Sequence, residues 1–358
     1  MFHWVNIRMS IYQPSFFDEA ERLAALSELN DPLVALKQHI DFELFRVRLT
    51  AVFEKPKVSA AGRKAYDVVL MFKILILQRL YNLSDEQVEF QITDRHSFCR
   101  FLDLQISSAI PDFSTVWRFR EALTQAGVVK ELFALFTETL AQKGLITKTG
   151  TIIDASFVEV PRQRNSREEN ALIKQGEVPP AWKEQPHKLS QKDCDAEWTK
   201  KNGVTFFGYK NHVKADAESV LLTDYQVTGA SVHDSQPLPD LIGPQNKDEN
   251  LFADSAYKSA HTDKKLAEWG IGNWIHEKGA RNRPLTELHK GLNQLKSKVR
   301  CCIEHIFGFI ENSMNGPELE YIGLARIETG IGLSNLTYNL QRYIQLIRLG
   351  RVHSVQRV

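Results

Sequence analysis

Three acidic residues stand out by their settings. Asp154 closes the apolar run Thr151-Ile152-Ile153, and Asp254 closes a second one, Leu251-Phe252-Ala253. Glu304 lies in Ser297-Lys298-Val299-Arg300-Cys301-Cys302-Ile303-Glu304-His305-Ile306-Phe307, whose spacing predicts a helix. Carboxylates at two strand ends and on a later helix can converge on two divalent cations. Hard oxygen donors suit Mg²⁺ or Mn²⁺. Two such ions about 3.5–4 Å apart clamp the attacking and leaving oxygens of an in-line phosphoryl displacement. Each acid also has a plainer reading. Asp154 can cap the turn that follows, Asp254 can cap a helix starting at Ser255, and Glu304 can form a solvated pair with Arg300.

The elements that must position these acids follow from periodicity and capping. Residues 1–145 read as helical. Asp67 to Tyr81 carries Val68, Met71, Phe72, Leu75, Ile76 and Leu80 at helical spacing. Ser84-Asp85-Glu86-Gln87 is a capping box, with Leu83 as its staple. Thr93 or Asp94 is expected to cap a helix to Phe101, and Ser114 a helix through Thr115 to Arg120. A further helix through Leu132, Phe133, Phe136 and Leu140 stops at Gly144. From Ile146 the period changes to that of strands, at 150–154, 157–160, 205–213, 220–227 and 250–253. Residues 161–202 are polar, with Pro179-Pro180 inside, and read as an insertion or mobile surface loop. Ser235 to Leu241 and Ser255 to Trp269 read as helices, Asn273 to His276 as a short strand and Leu288 to Ile310 as one long helix. Within that last helix an apolar seam (Leu292, Leu295, Val299, Ile303, Ile306, Ile310) is set apart from Ser297, Arg300, Glu304 and Glu311. The order is that of an α/β (α+β mixed) protein: a ribonuclease-H-like mixed sheet flanked by helices behind an all-α N-terminal domain. The expected boundaries are 1–145 (60–145 its most recognisable part), 146–345, and a tail at 346–358.

Composition excludes several classes. Lys and Arg total 45 against 44 Asp and Glu, a net charge of +1, so any nucleic-acid surface must be a local patch. Cys99, Cys194, Cys301 and Cys302 lack paired spacing, which argues against a disulfide framework or zinc site and for a reducing cytoplasm. Val68 to Leu77, the most apolar stretch, is interrupted by Lys73 and too short to span a bilayer. Met1 to Met9 show no cleavable signal pattern, and Met9 is an alternative start.

Arg300-x3-Glu304, followed by Phe307-Gly308, resembles the third-acid motif of the DDE transposases of bacterial insertion sequences, in particular their IS-five family. Further segments are similar to that family in the expected order. They are Thr151 to Ser156, Phe207-Gly208-Tyr209-Lys210-Asn211-His212, Thr228 to Ser235, Ala253-Asp254-Ser255-Ala256-Tyr257 and, in the helical part, Ile110 to Arg120. Ser297 and Glu311 depart from it, standing where Tyr and a basic residue are common. The resemblance covers roughly residues 60–345. It implies that Asp154, Asp254 and Glu304 are catalytic and hold two Mg²⁺ or Mn²⁺ ions per site. It also implies binding to double-stranded terminal inverted repeats and target DNA, cleavage and strand transfer, and a homo-oligomer on DNA, with a nucleoid-associated location. Arg118, Arg120, Lys210, His212, Lys290, Lys296, Lys298 and Arg300 are the expected DNA contacts, and His233 and Asp234 secondary candidates beside the acids. A charge run such as Lys278, Arg281, Arg283, Lys290, Lys296, Lys298 is otherwise an ordinary solvated face. Two rivals stay open on sequence alone: a ribonuclease-H-like nuclease without strand transfer, and a non-catalytic DNA-binding descendant of a transposase.

Overall fold

The computed structural model describes residues 18–54, 65–279 apart from 106 and 202, and 284–351 apart from 315, 317 and 318. Met1 to Met9, Arg281, Arg283 and the last seven residues of the expected tail lie outside the described residues.

Among the described residues eight α-helices come first: α1 (Asp18–Glu28), α2 (Pro32–His39), α3 (Arg46–Phe53), α4 (Val68–Leu80), α5 (Asp85–Asp94), α6 (His96–Leu102), α7 (Phe113–Ala126) and α8 (Val129–Gln142). Helix α4 is apolar on every side and buried accordingly, with Phe72, Ile74, Leu75, Ile76 and Leu77 fully enclosed. The capping box forms as expected: Gln87 N–H donates to Ser84 Oγ, and Ser84 N–H donates to Gln87 Oε1. Two caps differ from expectation. Helix α7 is capped by Asp112, whose carboxylate accepts from Thr115 N–H, because the helix begins at Phe113 and leaves Ser114 inside it. Helix α6 starts after Arg95 with no side-chain cap, since Thr93 and Asp94 still belong to α5.

The sheet follows: β1 (Gly150–Glu159), β2 (Glu197–Lys201), β3 (Val204–Asp216), β4 (Leu222–Gly229), β5 (Asn250–Phe252) and β6 (Gly272–Asn273). Its order is β2-β3-β1-β5-β6, with β4 also paired to β3. The pairs β1–β3, β2–β3 and β3–β4 are antiparallel, whereas β1–β5 and β5–β6 are parallel. Gly208 pairs with Glu159 on one side and Glu197 on the other, at φ +144°. A Cβ there would stand 2.3 Å from the Val158 carbonyl oxygen, so the glycine of the Phe-Gly-Tyr-Lys run is a requirement of close strand approach.

The polar stretch at 161–202 is folded. It contains α9 (Arg167–Lys174), α10 (Pro180–Lys183), α11 (Pro186–Leu189) and edge strand β2. Trp182 is fully buried within it and donates its indole N–H to Glu169. Asp193 ties its end to the body, accepting from Tyr209 Oη–H and from Gly323 N–H.

Short helix α12 (Leu238–Leu241) packs by β4 and α13 (Ala260–Trp269) by β6, and they share a small core with Ile153, Leu251, Ala253 and Tyr257. The expected single helix at 288–310 is interrupted. Helix α14 (Glu287–Arg300) ends at Cys301, α15 (Cys302–Gly308) follows, and a π-helical turn covers Phe309–Ser313. Only the second half of the expected apolar seam is buried: Ile303, Ile306 and Ile310 are enclosed, while Leu292 and Leu295 are exposed, as is Leu288 before them. The interruption lets α15 press against β1 while α14 runs outward.

Helix α16 (Leu324–Arg348) closes the molecule and packs on α8, α4 and α7 as well as β4. The N-terminal helices, one face of the sheet and α16 therefore share one continuous core. Polar side chains fix α16 in register. Asn335 and Asn211 exchange amide hydrogen bonds of 2.9 and 3.2 Å, and Asn339 pairs with both backbone groups of Leu222. Among the described residues no helix is long and apolar enough to cross a membrane.

Candidate active site

Strand β1 runs parallel to β5 with Ile152 level with Phe252. Continuing that register by two residues brings Asp154 level with Asp254. Asp254 lies just past the end of β5, whereas Asp154 lies within β1, which runs on to Glu159 paired with β3, so the strands expected at 150–154 and 157–160 are one. Asp154 accepts from Ala155 N–H at 2.8 Å through one oxygen and from Arg300 Nη1 at 3.1 Å through the other. Burial, followed by the negative charge of Asp254, pushes its pKa up to about 6, although the Ala155 amide, Arg300 and Lys201 act against this. Asp254 accepts from Ala256 N–H at 2.8 Å, which starts the 3₁₀ turn Ser255–Tyr257. The plainer capping role and the strand-end role thus coincide in one side chain.

Glu304 comes from α15 and meets the site through Arg300, whose Nη2 stands 3.5 Å from Glu304 Oε1. Arg300 is the last residue of α14, one turn earlier, and it lies between Asp154 and Glu304. Among the described residues no three His, Cys, Asp or Glu side chains stand together as a metal cluster. Instead the Arg300 guanidinium bridges Asp154 and Glu304. Among the described residues its Nε is buried without a hydrogen-bond partner, and so is the Tyr257 hydroxyl.

These observations fit a divalent cation. The donors are hard oxygens, and the charge of Asp254 adds to burial in holding the Asp154 carboxyl above its ordinary range, a cost that a cation would relieve. Asp154 and Asp254 would hold the ion, with Glu304 the third candidate on the far side of Arg300.

Residues 146–340 match the family described as Transposase DDE domain, and residues 21–122 match Transposase domain (DUF772). The chain belongs to the DDE transposase family. A solved structure, the cryo-EM structure of piggyBac transposase synaptic complex with hairpin DNA, is similar at a TM-score of 0.45 and 11% identity, over 91% of this chain and 77% of that one.

In this transposase the residues expected to face DNA divide sharply. Arg118, Lys290 and Lys298 are exposed. Arg120, Lys210, His212 and Lys296 are buried rather than solvent-facing; the three cations are engaged inside the fold, and His212 is bonded through one ring nitrogen, its Nδ1 having no partner among the described residues. Arg120 donates twice to Asp85 and once to Gln78. Lys210 donates to the Val232 carbonyl and to Asp234, each at 2.7 Å. Lys296 donates to the Ile275 carbonyl at 2.6 Å and to Glu277. His212 bonds Thr228 through Nε2, and burial pushes its pKa down to about 4, with Lys210 adding to the effect and Asp234 opposing it. Of the secondary candidates, Asp234 is held by Lys210, while His233 is exposed and bonds Ser235.

Two residues of this region escape a reading by residue type. His276 follows β6, donates its backbone N–H to the Ala253 carbonyl, and bonds Ser297 through Nε2 at 3.3 Å. Ser297, where the family commonly has Tyr, is thereby tied to the segment beside Asp254. Burial, then Arg300 and Lys296, lower the His276 pKa, which favours the neutral ring. A lone histidine in a short strand carries no signal in the sequence. Tyr257 does sit in the run around the second acid, but nothing in its type sets it apart from an ordinary core aromatic.

Proposed function

We propose that this protein is an insertion-sequence transposase of the IS-five type that cuts transposon ends and joins them to target DNA. What carries this reading is that Asp154, within β1, and Asp254, just past the end of the parallel strand β5, stand on neighbouring strands, with Arg300 bridging Asp154 to Glu304. Two divalent cations, Mg²⁺ or Mn²⁺, would neutralise charge on the attacking and leaving oxygens of the phosphodiester when bound. The chain's own groups do the rest. Arg300 offers a planar two-pronged donor to the scissile phosphate once it exchanges a carboxylate for it. Lys290 and Lys298, exposed on α14, neutralise neighbouring phosphates, and Arg118 on α7 meets terminal-repeat DNA. Water is the first nucleophile and the freed 3′-hydroxyl the second, by the same in-line geometry. Target capture and pairing of two ends call for a homo-oligomer on DNA.

The test uses a plasmid carrying the element's terminal repeats. Asp154→Asn, Asp254→Asn and Glu304→Gln are each expected to abolish Mg²⁺-dependent cleavage and to leave binding of terminal DNA largely intact. Near-wild-type cleavage by any one of them removes that residue from the metal set. Cleavage without joining to target DNA would favour the nuclease reading.

A further inference from the structure

Tyr257 carries a hydroxyl that the fold does not satisfy. The side chain is 0% exposed, and among the described residues its Oη has no hydrogen-bond partner. A buried phenol ordinarily finds one, and leaving it unpaired costs about 1–3 kcal/mol. Nothing about local structure demands tyrosine here. The 3₁₀ turn is capped by Asp254, the ring packs among Ile153, Leu251 and Leu266, and phenylalanine would fill the same space.

The surroundings give the hydroxyl a purpose. It stands three residues after Asp254, on the turn which that acid initiates. Burial first, and then the charges of Asp154, Asp234 and Asp254, push its pKa up, so the phenol stays protonated, that is, a donor. Asp234 is itself locked by the buried Lys210 at 2.7 Å. The hydroxyl is therefore a buried, unpaired donor among the described residues, on the turn that Asp254 caps and in one cluster with Ile153 and Ala253, the residues that precede the two aspartates.

We propose that Tyr257 is a positioning residue. Its hydroxyl donates to the Asp154–Asp254 carboxylates when they take up a divalent cation, and the free protein carries the unsatisfied group for that purpose. The inference rests on the metal-binding reading of the two aspartates. Outer-layer donors of this kind orient the ligating carboxylate, and their loss weakens metal affinity by about 10–100-fold.

Stability and metal affinity should then move in opposite directions in Tyr257→Phe. Without metal, the variant is expected to melt at the wild-type temperature or above it. Its Mn²⁺ affinity by calorimetry is expected to fall about tenfold or more, with single-turnover cleavage of terminal DNA demanding correspondingly more metal while DNA affinity stays unchanged. A lower melting temperature without metal would mean that the hydroxyl has a structural partner, and would overturn the proposal. So would a variant that matches the wild type in Mn²⁺ affinity. Wild-type protein that takes up no Mn²⁺ at all would instead overturn the reading of the aspartates on which this rests.

Discussion

Two arginines in this molecule each hold an aspartate, and they do opposite things. Arg120 on α7 grips Asp85 at the start of α5 with two 2.7 Å bonds, donates to Gln78 as well, and lies against the Tyr321 ring at 4.8 Å. Burial raises the Asp85 pKa, but the Arg120 hydrogen bonds and charge outweigh it and the net shift is downward. Arg300 reaches Asp154 with one bond at 3.1 Å, holds Glu304 more loosely, and leaves its Nε unpaired among the described residues. There burial wins, aided by Asp254, and the Asp154 pKa rises. A saturated pair builds a fold. An unsaturated one leaves charge available for a ligand.

Removing each cation in turn puts this contrast at risk. Arg120→Ala leaves Asp85 buried beside no counter-charge and is expected to cost about 3–5 kcal/mol in urea unfolding. Arg300→Gln should lose less than half as much at pH 6, because Asp154 can take up a proton instead of remaining an unpaired anion. Its damage should fall on cleavage at saturating DNA. Equal losses of stability from the two changes would erase the distinction between the pairs.

A smaller effect refines it on α14. Lys290 and Lys298 are exposed, whereas Lys296 is buried against Ile275 and Glu277. Replacing Lys290 or Lys298 with Gln should lower the log–log salt slope of DNA binding by about 0.9 for each phosphate that is no longer neutralised. Lys296→Gln should leave the slope alone and reduce thermal stability. A slope change from Lys296→Gln would return that residue to the DNA-facing set.

How much of this was legible in the sequence depended on the range of the forces involved. Local rules placed the Ser84 capping box, the helix at Val68–Leu80, the strand that carries Asp154 and the strand that leads into Asp254, because caps and periodicity act within a few residues. Burial of single cations was not readable. Arg118 and Arg120 look alike in sequence, but one faces solvent and the other meets Asp85, 35 residues away. The long helix at 288–310 failed for the same reason. Its periodicity is continuous, yet packing of Ile303 and Ile306 against the sheet ends α14 at Cys301 and leaves Leu288, Leu292 and Leu295 outside. At 161–202, polar composition hid a small folded unit, since one buried tryptophan and the Asp193 hydrogen bonds suffice to anchor it.

Whether the Asp154 site is an unsaturated cluster built for a cation comes down to thermal melts of wild type and Asp154→Asn with and without Mn²⁺. The carboxyl titrates near 6 in the fold and at its ordinary 3.8 in the unfolded chain. Its contribution to stability is therefore intact below about pH 4 and lost as pH rises through 6, a loss of about 3 kcal/mol by pH 8. Without metal, Asp154→Asn should melt above the wild type at pH 8 and beside it at pH 4, and Mn²⁺ at pH 8 should raise the wild type while leaving the variant unmoved. A variant that melts below the wild type at pH 8 without metal, or that gains as much from Mn²⁺, would show that the site is no such cluster.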